Sequence, residues 1–209
     1  MLNRSDEPVR LYGSYICFMC RLPQPLAPGL TYEAVVQDNP TGTFILIERG
    51  KSDRVAFELR VRNLAGDEAG TALPVVRERE FSSTGVSLLH VPLGGDQRLL
   101  LRVYALHPQP NATVLVRTYA QNIVVPAPGP TPDRLLGESV HALVPYAPSG
   151  FDPEQFPTFG SLSTLPLGGA APDRVRIDVL PLSPADMKIW AFVTLTHNRT
   201  QAVTVVAPQ

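Results

Sequence analysis

Proline is the feature of this sequence that most restricts its fold. It supplies 22 of the 209 residues, about twice its usual share. Proline fixes φ and lacks a backbone donor, so it is excluded from helix interiors and central strands and is tolerated in connections and at sheet edges. No stretch carries the long apolar stripe of 3.6-residue period that is typical of an amphipathic helix. The sequence therefore predicts many short strands joined by proline-containing connections.

Alternation of apolar and polar residues indicates where these strands lie. It is clearest over 54–63, where Val55, Phe57 and Leu59 face one way and Glu58 faces the other. This pattern is typical of an antiparallel strand with one solvated face. Further strands are predicted at 31–37, 43–48, 73–79, 86–91, 98–106, 112–119, 140–144, 174–180 and 188–196. We therefore expect an all-β chain.

A weak internal repeat relates residues 92–122 to residues 166–198. Both begin with Pro-Leu-Gly-Gly, and identities at a constant spacing follow after a two-residue offset. In these, Arg98, Val103, Leu106, Pro108, Thr118 and Asn122 fall on Arg174, Val179, Leu182, Pro184, Thr194 and Asn198. The match indicates a repeated strand–turn–strand unit. The alternative is that two β-hairpins with proline-containing turns resemble each other through composition alone.

The stretch 126–132 reads PAPGPTP, which is typical of a stiff connector. We expect a domain boundary there, with a β-sandwich over 1–125 and a second, smaller one over 133–209. The predicted fold is therefore two tandem small antiparallel β-sandwiches of immunoglobulin-like or jelly-roll-like type. Because the second is short for an independent sandwich, we expect it to pack against the first.

Charge and hydropathy argue against several classes of protein. The net charge is −1, and no basic stripe of the kind that nucleic-acid binders carry is present. The longest apolar run is far shorter than the roughly 20 residues needed to cross a bilayer. The first ten residues, MLNRSDEPVR, lack the apolar core of a signal peptide. The sequence therefore predicts neither a nucleic-acid partner nor a membrane span.

Cys17 and Cys20, the only cysteines, lie three residues apart in the stretch ICFMC. A thioredoxin-type pair needs a helix N-terminus, and a zinc site needs four ligands, so neither is predicted. Residues three apart in a straight strand are separated by about 10 Å, whereas a disulfide tolerates about 7 Å between Cα atoms. The two residues are therefore free thiols in a strand or a disulfide in a bend. Pro23 and Pro25 favour a bend or a strand end.

Motifs for hydrolysis are weak. The strained serine turn G-x-S-x-G is absent, and the nearest stretch, 137–141, lacks the second glycine. Alternation places Ser139 and His141 on one face of a strand, which is typical of ordinary strand sequence. The zinc-protease motif, phosphate-binding glycine loops and calcium-loop spacing are also missing. We expect no enzyme, cofactor or metal, although a pair of carboxylates that meets only in the fold is left open as a route to a hydrolase.

Aromatic residues are concentrated in 145–160, which holds four aromatics and four prolines in 16 residues. The aromatics are Tyr146, Phe151, Phe156 and Phe159. Stiff apolar rings bind at low entropic cost, so the segment is a candidate platform for a sugar or a protein partner. The alternative is a long connection whose rings close the end of a sandwich. Trp190 and Phe192 share one strand face, but apolar residues occupy the other, so that strand is predicted to be core.

The order of strands and turns resembles a group of uncharacterised secreted proteins of Acidobacteria-like bacteria. The stretches that carry the resemblance are GTFILI, LRVRN, LPVVREREF, VSLLHVPL, RLLLRVYAL and KIWAFVTLTHNRTQAVTVVAP, within residues 15–209. The resemblance implies an exported β-sandwich protein without a catalytic signature. It also implies an export signal and first strands, which this sequence lacks at its start. Either the N-terminal part is incomplete, or this copy stays inside the cell.

These patterns predict a non-catalytic β-sandwich module with a structural, adhesive or protein-interaction role, and the resemblance implies that it acts at the bacterial cell surface or exterior. One alternative is a carbohydrate-binding module that uses the aromatics of 145–160, and another is a hydrolase. The expected partner is a protein or a polysaccharide. Exposed edge strands also leave self-association or the addition of a partner strand open.

Overall fold

The computed structural model describes residues 1–14, 25–31, 45–61, 70–106, 111–121, 133–145, 158–170 and 172–209. Within these ranges the chain is built from antiparallel strands and two short 3-10 turns, so the predicted all-β class is confirmed. The strands are β1 (Leu2–Asn3), β2 (Leu11–Ser14), β3 (Ile45–Ile47), β4 (Val55–Ala56), β5 (Leu59–Val61), β6 (Thr71–Leu73), β7 (Val86–Pro92), β8 (Gln97–Ala105), β9 (Thr113–Ala120), β10 (Arg134–Ala142), β11 (Val144–Pro145), β12 (Thr158–Leu162), β13 (Arg174–Ser183), β14 (Ile189–His197) and β15 (Val203–Val206). The turns are Ser52–Arg54 and Glu78–Glu80. No helix in these ranges has the length and apolar character of a membrane span.

The chain divides into two compact units, an N-terminal unit of Met1–Arg60 and a C-terminal unit of Val61–Gln209. In the N-terminal unit β1 pairs with β4, and β2 pairs with β3. A small core joins these pairs and consists of Val9, Leu11, Leu26 and Val55. Asn3 is fully buried there, and its Nδ2 donates to Leu26 O at 2.9 Å. This hydrogen bond satisfies the buried amide, which would otherwise be costly.

The C-terminal unit is a sandwich of two antiparallel sheets around one core. The four-stranded sheet has the order β10-β9-β13-β7, and the five-stranded sheet has the order β11-β12-β8-β14-β15. Alternate residues of both sheets point inward and form a single buried cluster. In β13, for example, Val175, Ile177 and Val179 are fully buried, whereas Arg176 and Asp178 face outward, as the alternation predicted. In β14 both faces are buried, which confirms the prediction that this strand is core.

The sandwich consists of two equivalent four-strand repeats, β7 to β10 and β12 to β15. The four-stranded sheet takes the fourth, third and first strands of the first repeat and the second strand of the other. The five-stranded sheet takes the reciprocal set and adds β11 at its edge. The two repeats are therefore related by an approximate two-fold exchange that interleaves them.

The similar sequences 92–122 and 166–198 fall on β8–β9 and β13–β14, the middle strands of the repeats. Each copy runs from one sheet to the other and is therefore not a hairpin. Leu101 pairs with Val193, and its counterpart Ile177 pairs with Thr118. Structurally, Thr118 thus corresponds to Val193, one residue away from its sequence match Thr194. The repeat is present, but its second strand is shifted by one residue.

The predicted domain boundary at 126–132 is wrong. Strand β9, which precedes this stretch, pairs with β10 and β13, which both follow it. Strand β8 likewise pairs with β12 and β14. The ranges 1–125 and 133–209 are therefore not two tandem sandwiches, because one hydrophobic core draws on both. The described chain divides after Arg60 instead.

Several strand predictions also need correction. The range 54–63 contains two short strands, β4 and β5, separated by Phe57 and Glu58, rather than one strand. The range 73–79 retains only the end of β6 and continues toward a 3-10 turn. Strand β10 begins at Arg134, six residues before the predicted start at 140. Strands β12 and β15 were not predicted.

Candidate functional site

The edges of the two sheets differ in how the chain closes them. At β7, His90 adopts a φ of 56°, and its N–H donates to Gln121 Oε1 at 2.6 Å. At β15, Thr71 Oγ1 donates to Val203 O at 3.0 Å. Strand β11 has two residues, whereas β10 has nine. Among the described strands, β10 is thus the longest at an edge of the sandwich, and long edges are templates for another strand.

One hydrogen bond fixes which backbone groups of β10 face its neighbour β9. Leu143 N, just after β10, donates to Ala112 O at 2.8 Å. Hydrogen-bonded and non-hydrogen-bonded pairs alternate along an antiparallel ladder. The N–H and C=O groups of His141 and Ser139, two and four residues earlier, therefore point toward β9.

The N–H and C=O groups of Glu138, Val140 and Ala142 point the other way, to the open side of β10. No hydrogen bond from the described part of the chain reaches these six backbone groups. We call the backbone and side chains of these three residues the β10 edge. Its geometry is that of an unfilled strand position.

Side chains of the β10 edge lie on the outer face of the four-stranded sheet. Val140 is 57% exposed and stands opposite Leu115 of β9. Glu138 stands opposite Arg117, whose Nε lies 3.0 Å from Glu138 Oε2. A register shift after Leu135 places this residue, 48% exposed, on the same face. On this face the carboxylate of Glu138 therefore lies between two exposed apolar side chains, Leu135 and Val140.

The connection before β13 packs closely against β10. A Cβ on Gly137 would lie 2.8 Å from Pro166 O, and a Cβ on Gly168 would lie 2.3 Å from Leu136 O. Gly168 also has a φ of 57°, which side chains rarely adopt. The second Pro-Leu-Gly-Gly copy thus needs its first glycine, because backbone meets backbone there. This packing holds β10 in place from within the chain.

Ser139 and His141 are brought together, as their alternation predicted. Ser139 Oγ lies 2.7 Å from His141 Nε2, and burial lowers the pKa of His141. The pair faces inward beside Val116 and Val114. A nucleophile and a base at this distance would still need a group that orients the histidine. No carboxylate in the described ranges bonds to His141, so the pair forms a polar lining beneath the edge strand.

The only predicted platform residue within the described ranges is Phe159, which lies half-buried in β12. Its ring centroid is 6.4 Å from that of Tyr104, which stacks on Phe192 at 6.2 Å with an interplanar angle of 3°. Trp190 and Arg102 extend this cluster across the outer face of the five-stranded sheet. Tyr104, Trp190 and Phe192 are at most 8% exposed, so they do not form an open platform.

The remaining predicted site residues lie outside the described ranges. These are Cys17 and Cys20 of the predicted thiol pair or disulfide, and Tyr146, Phe151 and Phe156 of the predicted platform. Both predictions therefore stay predictions.

A charged cleft of about 410 Å³ lies in the N-terminal unit. It is lined by Glu7, Pro8, Arg10, Pro25, Glu48 and Lys51. Its charges neutralise one another, since Lys51 Nζ lies 3.2 Å from Glu48 Oε1 and 3.7 Å from Glu7 Oε2. The backbone N–H of Arg10 and the Lys51 side chain lower the pKa of Glu48. Nowhere in the described ranges do three or more His, Cys, Asp or Glu side chains converge as metal ligands.

Sequence reasoning did not identify the β10 edge. The alternation Glu138-Ser139-Val140-His141-Ala142 was a usable signal for a strand, but the strand was predicted only over 140–144. Whether a strand lies at an edge depends on its partners, and those are distant in sequence. Pairing, rather than local pattern, creates this site.

Comparison with known proteins returns no match: no protein-family model, no curated protein and no solved structure matches the chain.

Proposed function

We propose that this chain is a non-catalytic interaction module that binds a partner protein by strand addition at the β10 edge. The observation that supports this most strongly is the row of N–H and C=O groups on Glu138, Val140 and Ala142 that have no partner within the described ranges. In strand addition, main-chain hydrogen bonds supply affinity, and side chains of alternate residues supply specificity. A structural or adhesive role at the bacterial cell surface or exterior belongs to the same proposal and is supported by the sequence resemblance.

Two properties favour binding at this edge. Each new hydrogen bond contributes about 0.5–1.5 kcal/mol net, and covering Val140 and Leu135 adds about 25 cal/mol per Å² of apolar surface. The close packing of Pro166 and Gly168 against Leu136 and Gly137 of β10 holds the strand in place. A rigid strand loses little entropy when a partner docks.

Site-specific photo-crosslinking in the producing cell tests the proposal. A photoreactive amino acid replaces Val140 in one variant and Leu182 in a matched control. Leu182 is 50% exposed but lies on β13, two strands away from the edge. We expect a discrete protein adduct from position 140 and none from position 182. Absence of an adduct at 140, or the same products at both positions, would contradict the proposed site.

The exterior location is tested separately with the same cells. A protease added to intact cells, or to their medium, should digest the chain if it is exported. Protection until the cells are lysed would place the chain inside and remove that part of the proposal, while leaving the binding edge intact.

Carbohydrate binding is a second candidate, because Phe159 of the predicted aromatic segment stacks with Tyr104. Affinity electrophoresis in polysaccharide gels can test it, with Phe159→Ala compared with Phe81→Ala as a control outside that cluster. Retardation of the wild type that Phe159→Ala alone abolishes would favour a sugar site. Equal mobility of all three proteins in every gel would remove this candidate.

A further inference from the structure

We infer that the occupant of the β10 edge is an antiparallel strand of another protein, with a basic residue opposite Glu138 and apolar residues beside it. This inference rests on the proposed function and specifies the chemistry of the partner. Its pattern, read from the partner's N-terminus, is apolar opposite Ala142, apolar opposite Val140 and basic opposite Glu138, with any residue between.

The basic position follows from the surroundings of Glu138. Its side chain is 52% exposed, and its only ion pair in the described ranges is with Arg117 on β9. Because β9 lies on one side of β10, the other side of the carboxylate faces the position of an added strand. Directly opposed residues in adjacent strands have Cβ atoms about 4.5–5.5 Å apart, and opposite charges there are favourable. A second carboxylate at this distance would repel Glu138.

The apolar positions follow from Val140 and Ala142, which are exposed on the same face of β10 as Glu138. Val140 contacts its own sheet on one side through the cross-strand neighbour Leu115 and is otherwise exposed. An apolar residue opposite Val140 would extend the apolar row of Leu115 and Val140 into the added strand. Apolar cross-strand pairs are a principal source of sheet stability.

The position of Glu138 also argues against a second copy of this chain. Glu138 is the middle residue of β10 (Arg134–Ala142). If two copies of β10 paired antiparallel over their full length, the two Glu138 side chains would stand directly opposite each other. Like charges in that position destabilise a strand pair. The same carboxylate that attracts a basic strand therefore disfavours self-pairing.

Two synthetic peptides test the inference on the full chain. The probe is acetyl-TITVTKT-amide, and its matched control replaces the lysine with glutamate. Binding is followed by NMR through the amide signals of Val140 and Ala142, which would donate to the added strand. We expect the lysine peptide to bind the wild type about fivefold more tightly than the glutamate peptide. This preference should shrink at high salt, because the charges are exposed.

A charge exchange provides the decisive comparison. Glu138→Lys should reverse the preference so that the glutamate peptide binds better. Since this variant places two cations side by side, Arg117→Glu/Glu138→Lys restores the pair within the chain with reversed sign and keeps the test valid if the single variant unfolds. The same reversal is expected in the double variant.

Each remaining outcome overturns the inference in a different way. Equal binding of both peptides at Val140 would leave the edge function standing and remove the basic requirement. Dimers of the wild type in sedimentation velocity that Val140→Lys abolishes would make a second copy the occupant. If neither peptide shifts the NMR signals of the β10 amides, the charge of Glu138 serves to prevent strand pairing at this edge. If position 140 also yields no crosslink, the proposed function fails with it.

Discussion

At the residue scale, two adjacent glycines allow the cost of backbone strain to be compared with the cost of close packing. Gly168 and Gly169 have φ values of 57° and 80°, so both occupy the region that disfavours side chains. Only Gly168 also meets a neighbouring backbone, because its Cβ would lie 2.3 Å from Leu136 O. Nothing lies within 4 Å of a Cβ on Gly169. The sequence indicates that both glycines are turn residues, but it does not predict the contact of Gly168 with β10.

We predict that Gly169→Ala lowers the free energy of unfolding by about 1–2 kcal/mol, the cost of the left-handed conformation alone. Gly168→Ala should cost clearly more, since β10 or the connection must also move. Urea denaturation of the two variants and the wild type measures both values. Equal losses for the two variants would show that the connection does not press against β10.

A second residue-scale prediction concerns pH. Burial lowers the pKa of His141 in the folded chain, whereas the unfolded value is about 6.5. Between these two values the unfolded state binds more protons, so stability is fully present above about pH 6.5 and falls as the pH drops toward the folded value. His141→Gln keeps a polar partner for Ser139 and removes the titration. Thermal unfolding between pH 7.5 and 5 should therefore show a smaller loss in this variant than in the wild type. An identical loss would mean that His141 is not desolvated.

At the scale of elements, the positions of the core strands could be predicted from the sequence, but which strands pair with one another could not. Strands β8, β9, β13 and β14 carry strict alternation or continuous apolar runs, and their predicted positions agree with the structure within a few residues. Strand β10 was predicted at its C-terminal end only, because Leu135-Leu136-Gly137 breaks the alternation where the register shifts. Edge strands and central strands look alike in sequence, since apolar and polar residues alternate in both.

Side-chain burial distinguishes a central strand from an edge strand when the free energy of unfolding is measured. Ile177 of β13 is fully buried, so Ile177→Ala should cost about 2–5 kcal/mol of unfolding free energy. Val140→Ala at the β10 edge should stay within about 0.5 kcal/mol in the isolated chain. Chemical denaturation provides both values. A loss of more than about 1 kcal/mol for Val140→Ala would show that the chain itself covers this side chain.

At the scale of the whole molecule, the proline-rich stretch 126–132 was misread because composition does not report what a connection joins. A stiff, proline-rich segment is expected between domains and also between neighbouring strands of one sheet. Here the strands on either side, β9 and β10, are paired. The internal repeat was read as marking two domains, whereas its copies bury their apolar faces against each other in one core.

This arrangement predicts how fragments behave. Residues 133–209 alone lack β7, β8 and β9, so β13 loses both neighbours and β14 loses one. We expect this fragment to lack a cooperative unfolding transition, whereas residues 61–209 should retain one. Circular dichroism during heating distinguishes the two. A cooperative transition for 133–209 would restore the two-domain interpretation.

The proposed function depends most directly on the backbone of β10, and amide hydrogen exchange of the purified full chain measures it residue by residue. Ser139 and His141 donate toward β9, so their amides should exchange slowly. The N–H groups of Val140 and Ala142 point to the open side, so these two amides should exchange much faster than the amides of Ser139 and His141. Uniformly slow exchange from Glu138 to Ala142 would mean that the edge is already paired, and would contradict both the strand position and the function proposed for it.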